Sequence, residues 1–184
     1  MAGIVVIEGT LVDLRAQEMS DLERNQRWLN DREVTRFLGG RYQFSMLAEE
    51  KWMRERTGKV MAYGGDMGFA IETKDGRHIG NTGLHQASSE NRSADLGIMI
   101  GEKECWGRGY GTDALRTLVR FGFEEMNLNR IALDVYDFNE RAIASYLKTG
   151  FVEEGRRRKD IYREGRYFDV VMMSVLRDDW EKAR

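Results

Sequence analysis

The chain has 184 residues, 41% hydrophobic and 33% charged, with 29 Lys plus Arg against 31 Asp plus Glu for a net charge of −2. That length predicts one domain, residues 1–184, with a substantial core. The near-neutral balance argues against a dedicated nucleic-acid surface, no apolar run approaches the roughly 20 residues of a membrane span, and a single cysteine excludes an internal disulfide.

The N-terminal MAGIVVIEGT lacks the charged region and long apolar region of a signal peptide. Together with the lone cysteine it predicts a cytoplasmic protein. There is no proline, no repeat and no low-complexity segment to divide the chain.

Leu11 to Arg15 alternates like a strand. Ser20-Asp21-Leu22-Glu23 reads as a capping box that opens a helix to about Leu29, and Asp31 to Phe37 as a second short helix stopped by Gly39-Gly40. Ser45 caps a third helix through about Arg56. Strands then dominate. Gly68–Thr73 and His78–His85 form a hairpin around the Asp75-Gly76 turn, and Ala94–Ile100 follows after a polar loop. A helix begins near Tyr110, with Ala114, Leu115, Leu118, Val119, Gly122, Phe123 and Met126 on one stripe. Arg130–Tyr136 is the next strand, Glu140 to about Lys148 a helix ended by Gly150, and residues 151–161 and 167–176 a closing hairpin. The sum is an α/β fold: a mixed, mostly antiparallel sheet with helices on its faces.

Two stretches carry chemistry. In Trp106-Gly107-Arg108-Gly109-Tyr110-Gly111-Thr112, glycines open a helix. They permit positive φ and leave no Cβ atoms between an oxyanion and the backbone amides. The unsatisfied first-turn N–H groups and the helix dipole point the same way, which suits a pyrophosphate. Gly109 to Ala114 formally fits a relaxed dinucleotide fingerprint, but polar residues 101–104 separate it from the preceding strand. No Gly-Lys-Ser/Thr follows, so a P-loop is excluded. The second stretch runs from Asn139 to Phe151. Taken alone, its Asn139 reads as a helix cap, Tyr146 as a half-buried packing residue and Gly150 as a left-handed helix stop.

Together the two stretches resemble the GNAT superfamily of acetyl-CoA-dependent N-acetyltransferases. The family's phosphate loop, Q/R-x-x-G-x-G/A, matches residues 106–111 except that Trp106 stands for Gln/Arg. Its second motif, N-x-x-A-x-x-x-Y-x-K-x-G-F, matches Asn139, Ala142, Tyr146, Lys148, Gly150 and Phe151. The opening LVDLR and Trp28-Leu29-Asn30-Asp31 look most like the branch with ribosomal-protein N-terminal and spermidine acetyltransferases.

The resemblance implies a splayed pair of parallel strands, Ala94–Ile100 and Arg130–Tyr136, with acetyl-CoA in the gap. Backbone groups of Ile98, Met99 and Ile100 would pair with the pantetheine arm. Gly107, Arg108, Gly109, Tyr110, Gly111 and Thr112 would hold the pyrophosphate, and Asn139 the pantetheine. Tyr146 matches the family's general acid, and a phenol with a usual pKa near 10 keeps its proton at neutral pH. Asp95 is the first choice of base, with His85, Glu72 and a water chain as alternatives. Cys105 reads as a packing residue and not a nucleophile, and the two histidines have no metal-ligand spacing.

The resemblance implies a primary amine as acceptor: a protein N-terminus, a polyamine or another small amine. Trp28, Phe37, Tyr42 and Phe44, and the carboxylates Glu33, Glu49, Glu50 and Glu90, are candidates to receive it. Arg156 to Lys159 reads as an exposed strand end balanced by Glu153 and Glu154, with the 3′-phosphate of CoA as the other reading. A homodimer is common in families of this kind. The competing function is a catalytically silent acyl-CoA sensor or dimeric interaction module.

Overall fold

The computed structural model describes residues 5–40, 43–57 and 66–184. Eight strands form one sheet in the order β1-β2-β3-β4-β5-β6-β8-β7. They are β1 Val5–Glu8, β2 Val12–Ala16, β3 Met67–Thr73, β4 His78–Ser88, β5 Ser93–Ile100, β6 Arg130–Tyr136, β7 Val152–Arg163 and β8 Arg166–Leu176. The helices are α1 Leu22–Leu29, α2 Arg32–Thr35, α3 Met46–Thr57, α4 Tyr110–Glu124, α5 Glu140–Leu147 and α6 Arg177–Lys182. All neighbouring strands run antiparallel except β5 and β6.

Side-chain alternation divides the sheet into two faces. Val12 and Leu14, Phe69 and Ile71, Ala94 and Leu96, and Ile131, Leu133 and Val135 share one core with α4. Ala114, Leu115, Leu118, Val119, Gly122 and Phe123 of α4 are all buried, at about 1.5–3 kcal/mol for each large side chain removed from water. Met126 is half-buried against the same core.

The opposite face carries the N-terminal helices through a polar core. Arg15 donates to both carboxylate oxygens of Asp21 at 2.8 Å and to Glu72 at 2.6 Å. His78 Nδ1 lies 3.0 Å from Asp21 Oδ1, off the hydrogen-bond direction, while Nε2 reaches Gly80 O and Asn81 Oδ1 at 2.9 Å. Burial alone would raise the Asp21 carboxyl, but the Arg15 guanidinium and the His78 ring outweigh it and hold it well below the usual range.

This network explains one departure from the expected capping. Asp21 does precede α1, but its side chain caps nothing there. The capping box lies one turn earlier, on the short 3-10 turn Met19–Asp21, between Glu18 and Asp21. Two elements escaped the sequence reading. The four-residue β1 is too short for periodicity, and the six-residue α6 is fixed by tertiary contacts: Arg177 donates to Leu128 O at 2.9 Å, and Trp180 packs 5.3 Å from the Phe123 ring.

Candidate active site

β5 and β6 pair only at Ser93–Arg130, Ala94–Ile131 and Asp95–Ala132. Beyond those rungs the strands diverge, while β4 continues along β5 to Ile100 and β8 along β6 to Tyr136. The result is a fork in the middle of the sheet, with the backbone edges of Leu96–Ile100 and Leu133–Tyr136 unpaired toward each other. Such an edge accepts an extended chain as an added strand.

The segment closing the fork is held from three sides. Gly101 lies flat against the Trp28 indole, where any Cβ would overlap the ring. The Trp106 indole N–H donates to Ile100 O at 2.7 Å, tying the loop to the end of β5. From the far side, Asp113 Oδ2 accepts from the amides of Leu11 and Val12 at 2.7 and 3.0 Å, anchoring the first turn of α4 to the β1–β2 turn. Within the loop, Gly109 has φ +88° and is the N-cap of α4, with no side chain to cap the helix. The first-turn amides at 110–112 therefore remain available to an anion.

A cavity of about 780 Å³ fills the fork. Its lining includes Ile98, Met99, Ile100, Gly107, Gly109, Gly111, Thr112, Asn139 and Tyr146, so most of the expected site residues meet in one space. Asn139 also caps α5, its Oδ1 accepting from Ala142 N at 3.3 Å, so the cap reading and a ligand-facing position coexist. Tyr146 is 8% exposed, and its hydroxyl has no hydrogen-bond partner among the described residues. Burial pushes its pKa up to about 12. Cys105 is buried in the core, where desolvation raises its thiol.

Other candidates lie apart. Arg108 and Tyr110 stand beside the loop, the guanidinium 5.8 Å from the Tyr110 ring, outside the cavity lining. Asp95 is exposed on the last closed rung of the fork, opposite His85 on β4, and neither lines the cavity. Glu72 is committed to Arg15. Of the proposed acceptor aromatics, Phe37 lines the cavity. Trp28 is 2% exposed and packs edge-on to His78, Phe44 lies outside the lining, and Tyr42 lies outside the described residues. Glu33 pairs with Lys103 and Glu50 with Arg54, and neither Glu49 nor Glu90 lines the cavity. Arg156 pairs with Glu153, and Glu154 with Arg130.

Arg141, Ser145, Asp134 and Asp160 line the cavity without having been singled out from the sequence, whereas Lys148 belongs to the Asn139–Phe151 motif and Arg157 to the Arg156–Lys159 run. Arg141, Ser145 and Lys148 recur at i, i+4 and i+7 on α5 and line one wall, a spacing that was legible. The Arg141 guanidinium sits 4.1 Å from the Trp106 ring centroid, with no carboxylate partner among the described residues. Asp134, Arg157 and Asp160 line another part, brought together across β6, β8 and β7 by register alone.

Comparison with known proteins gives consistent results. A family model described as "Acetyltransferase (GNAT) domain" matches residues 12–152. A Bacillus subtilis protein named provisionally as a ribosomal N-acetyltransferase is 39% identical over 107 residues, 58% of each chain. A spermidine N(1)-acetyltransferase of Vibrio cholerae is 31% identical over 112 residues, covering 61% of this chain and 64% of that one. The matched segment thus spans under two thirds of either relative's length. Spermidine N-acetyltransferase from Vibrio cholerae, in a crystal structure with CoA and spermine, superposes with a TM-score of 0.84 at 26% identity, over 93% of this chain and 98% of that one.

Proposed function

The chain belongs to the GNAT family of acetyltransferases, and we propose that it transfers the acetyl group of acetyl-CoA to a primary amine, by direct attack of the amine on the thioester. The observation that carries this reading is the convergence, in one cavity, of an open β5–β6 fork, an uncapped glycine loop and a buried tyrosine with a free hydroxyl.

The residues fit the cofactor. Acetyl-CoA when bound supplies an activated acyl thioester. The amides at 107–112 would hold its pyrophosphate, and Arg141 and Lys148 would add positive charge beside them. The free edge of β5 at Ile98–Ile100 would pair with the pantetheine amides, with Asn139 on the opposite wall.

Transfer makes a C–N bond and breaks a C–S bond, so one proton must reach sulfur and one must leave the amine. Tyr146 is the donor to sulfur. Its raised pKa keeps the phenol protonated through the neutral range. The amine proton passes to solvent or to a carboxylate on the acceptor side. Asp95, at the closed end of the fork, is exposed and lies outside the cavity lining, so as a base it would act through water.

The acceptor is a primary amine, in keeping with relatives named as a ribosomal N-acetyltransferase and a spermidine N-acetyltransferase. The test is thiol release from acetyl-CoA in the presence of N-terminal peptides, spermidine, simple alkylamines and aminoglycosides. Turnover with one class is the expected result. No release with any of them, together with no acetyl-CoA binding by calorimetry, would sink the proposal.

A further inference from the structure

The fork opens the sheet from one face to the other. On β6, Ile131, Leu133 and Val135 are buried in the core shared with α4, so Asp134 and Tyr136 point to the opposite face. The cavity continues onto that face, between Phe37 and Leu38 after α2 and the β7–β8 hairpin. Arg163 of the hairpin fastens the two sides, donating to Leu38 O at 2.9 Å and to the Tyr136 hydroxyl at 3.2 Å.

The two halves of the cavity differ in charge. Arg141 and Lys148, on the α4–α5 side, suit the phosphates of CoA and repel an ammonium. On the far side the charged lining is Asp134, Arg157 and Asp160. Arg157 Nη2 donates to Asp134 Oδ2 at 2.6 Å and Nη1 to Oδ1 at 3.3 Å, while its Nε donates to Asp160 Oδ2 at 2.8 Å. Two carboxylates share one guanidinium, so the trio itself carries a net charge of −1, with the Arg163 guanidinium farther along the wall at Tyr136. All three side chains are between 42% and 54% exposed, so a ligand can reach them from solvent. The rest of this wall, including Phe37, Leu38, Tyr136 and Ile161, is apolar or aromatic.

We propose that Asp134, Arg157 and Asp160 form the acceptor's ammonium subsite, set for one positive charge on an apolar body, where the amine docks protonated and gives up that proton to water before it attacks the thioester. Arg157 is its specificity determinant, because it already occupies the place where the second cation of a polyamine would bind. The inference rests on the acetyltransferase reading and narrows its acceptor to a monoamine.

The test compares kcat/KM for phenethylamine and for spermidine with acetyl-CoA, in the wild-type protein and in three variants. The wild type should prefer phenethylamine. Arg157→Gln frees both carboxylates and should shift the ratio toward spermidine by about tenfold, more at low salt than at high. Asp134→Asn and Asp160→Asn should each raise the KM for phenethylamine about three- to tenfold while leaving the KM for acetyl-CoA unchanged. A wild-type preference for spermidine overturns the proposal. So does an Arg157→Gln protein of unchanged melting temperature and unchanged ratio; should that variant fail to fold, unaltered KM values in the two Asp variants overturn it equally. Turnover confined to amines with several charges also overturns it, with the acetyltransferase reading intact. No thiol release with any amine would remove both.

Discussion

Tyr146→Phe tests the proposed delivery of a proton from Tyr146 to sulfur. Burial alone perturbs the removed hydroxyl, which has no hydrogen-bond partner among the described residues, so its loss strands no buried donor or acceptor. The Phe ring keeps the packing against Phe151, whose centroid lies 5.7 Å away, so the melting temperature should stay within the equivalent of about 1 kcal/mol. A positioned acid contributes about 10²–10⁴-fold, or about 3–5 kcal/mol in the barrier. kcat should fall by that factor, with the Kd for acetyl-CoA unchanged. Burial holds the Tyr146 pKa up at about 12, so the wild type should show no alkaline fall in kcat from this group below about pH 10. The assay is initial-rate thiol release from pH 6 to 10, with calorimetry for the cofactor. A variant retaining more than about a third of kcat would refute the acid role, and so would parallel loss of stability and cofactor affinity, which would make Tyr146 a packing residue. A catalytically silent sensor would bind acetyl-CoA alike in both proteins and turn over in neither.

Three further outcomes are expected. Asp113→Ala removes the acceptor for the Leu11 and Val12 amides and should raise the KM for acetyl-CoA several-fold with little change in saturated kcat, whereas Asp113→Asn, which keeps a carbonyl oxygen, should recover most of the loss; steady-state kinetics at varied acetyl-CoA decide this. Gly101→Ala drives a methyl into the Trp28 indole, and should destabilise by about 1–3 kcal/mol or more in urea melts, since Trp28 is sealed in place and donates to Glu102 at 3.1 Å. Asp21→Asn leaves the buried Arg15 guanidinium undercompensated, at about 3–5 kcal/mol. In the wild type the depressed Asp21 carboxyl contributes stability that is full above its unfolded pKa of about 3.9 and is lost as pH falls below it. Thermal melts from about pH 7 to pH 2 should show that loss developing mainly below about pH 4, and the variant should show a smaller one.

The parts of the fold that were legible in the sequence are those governed by local period. The α4 stripe, the Asp-Gly hairpin and the bounds of β6 all follow from residues within one element. The glycine loop was legible for the same reason, since positive φ at Gly109 and an uncapped helix start are local requirements. What could not be read depends on pairings across the sheet. The splay of β5 and β6 came only from the family resemblance, and nothing local shows that it begins after Asp95 and Ala132, that Arg157 lands on Asp134, or that Arg163 reaches back to Leu38. Glu33 of α2 and Glu50 of α3 drew attention as acceptor ligands, yet their partners are Lys103 and Arg54. A carboxylate's role here is set by what faces it, and that is a tertiary fact.

Amide hydrogen exchange with and without saturating acetyl-CoA tests the central claim, that the cofactor lies in the fork with its phosphates on the glycine loop. Exchange should slow at the free edge of β5, residues 96–100, and across residues 107–112, while β1–β3 change little. Protection confined to other segments, or none at a concentration where calorimetry reports binding, would contradict the placement of the cofactor and the roles derived from it.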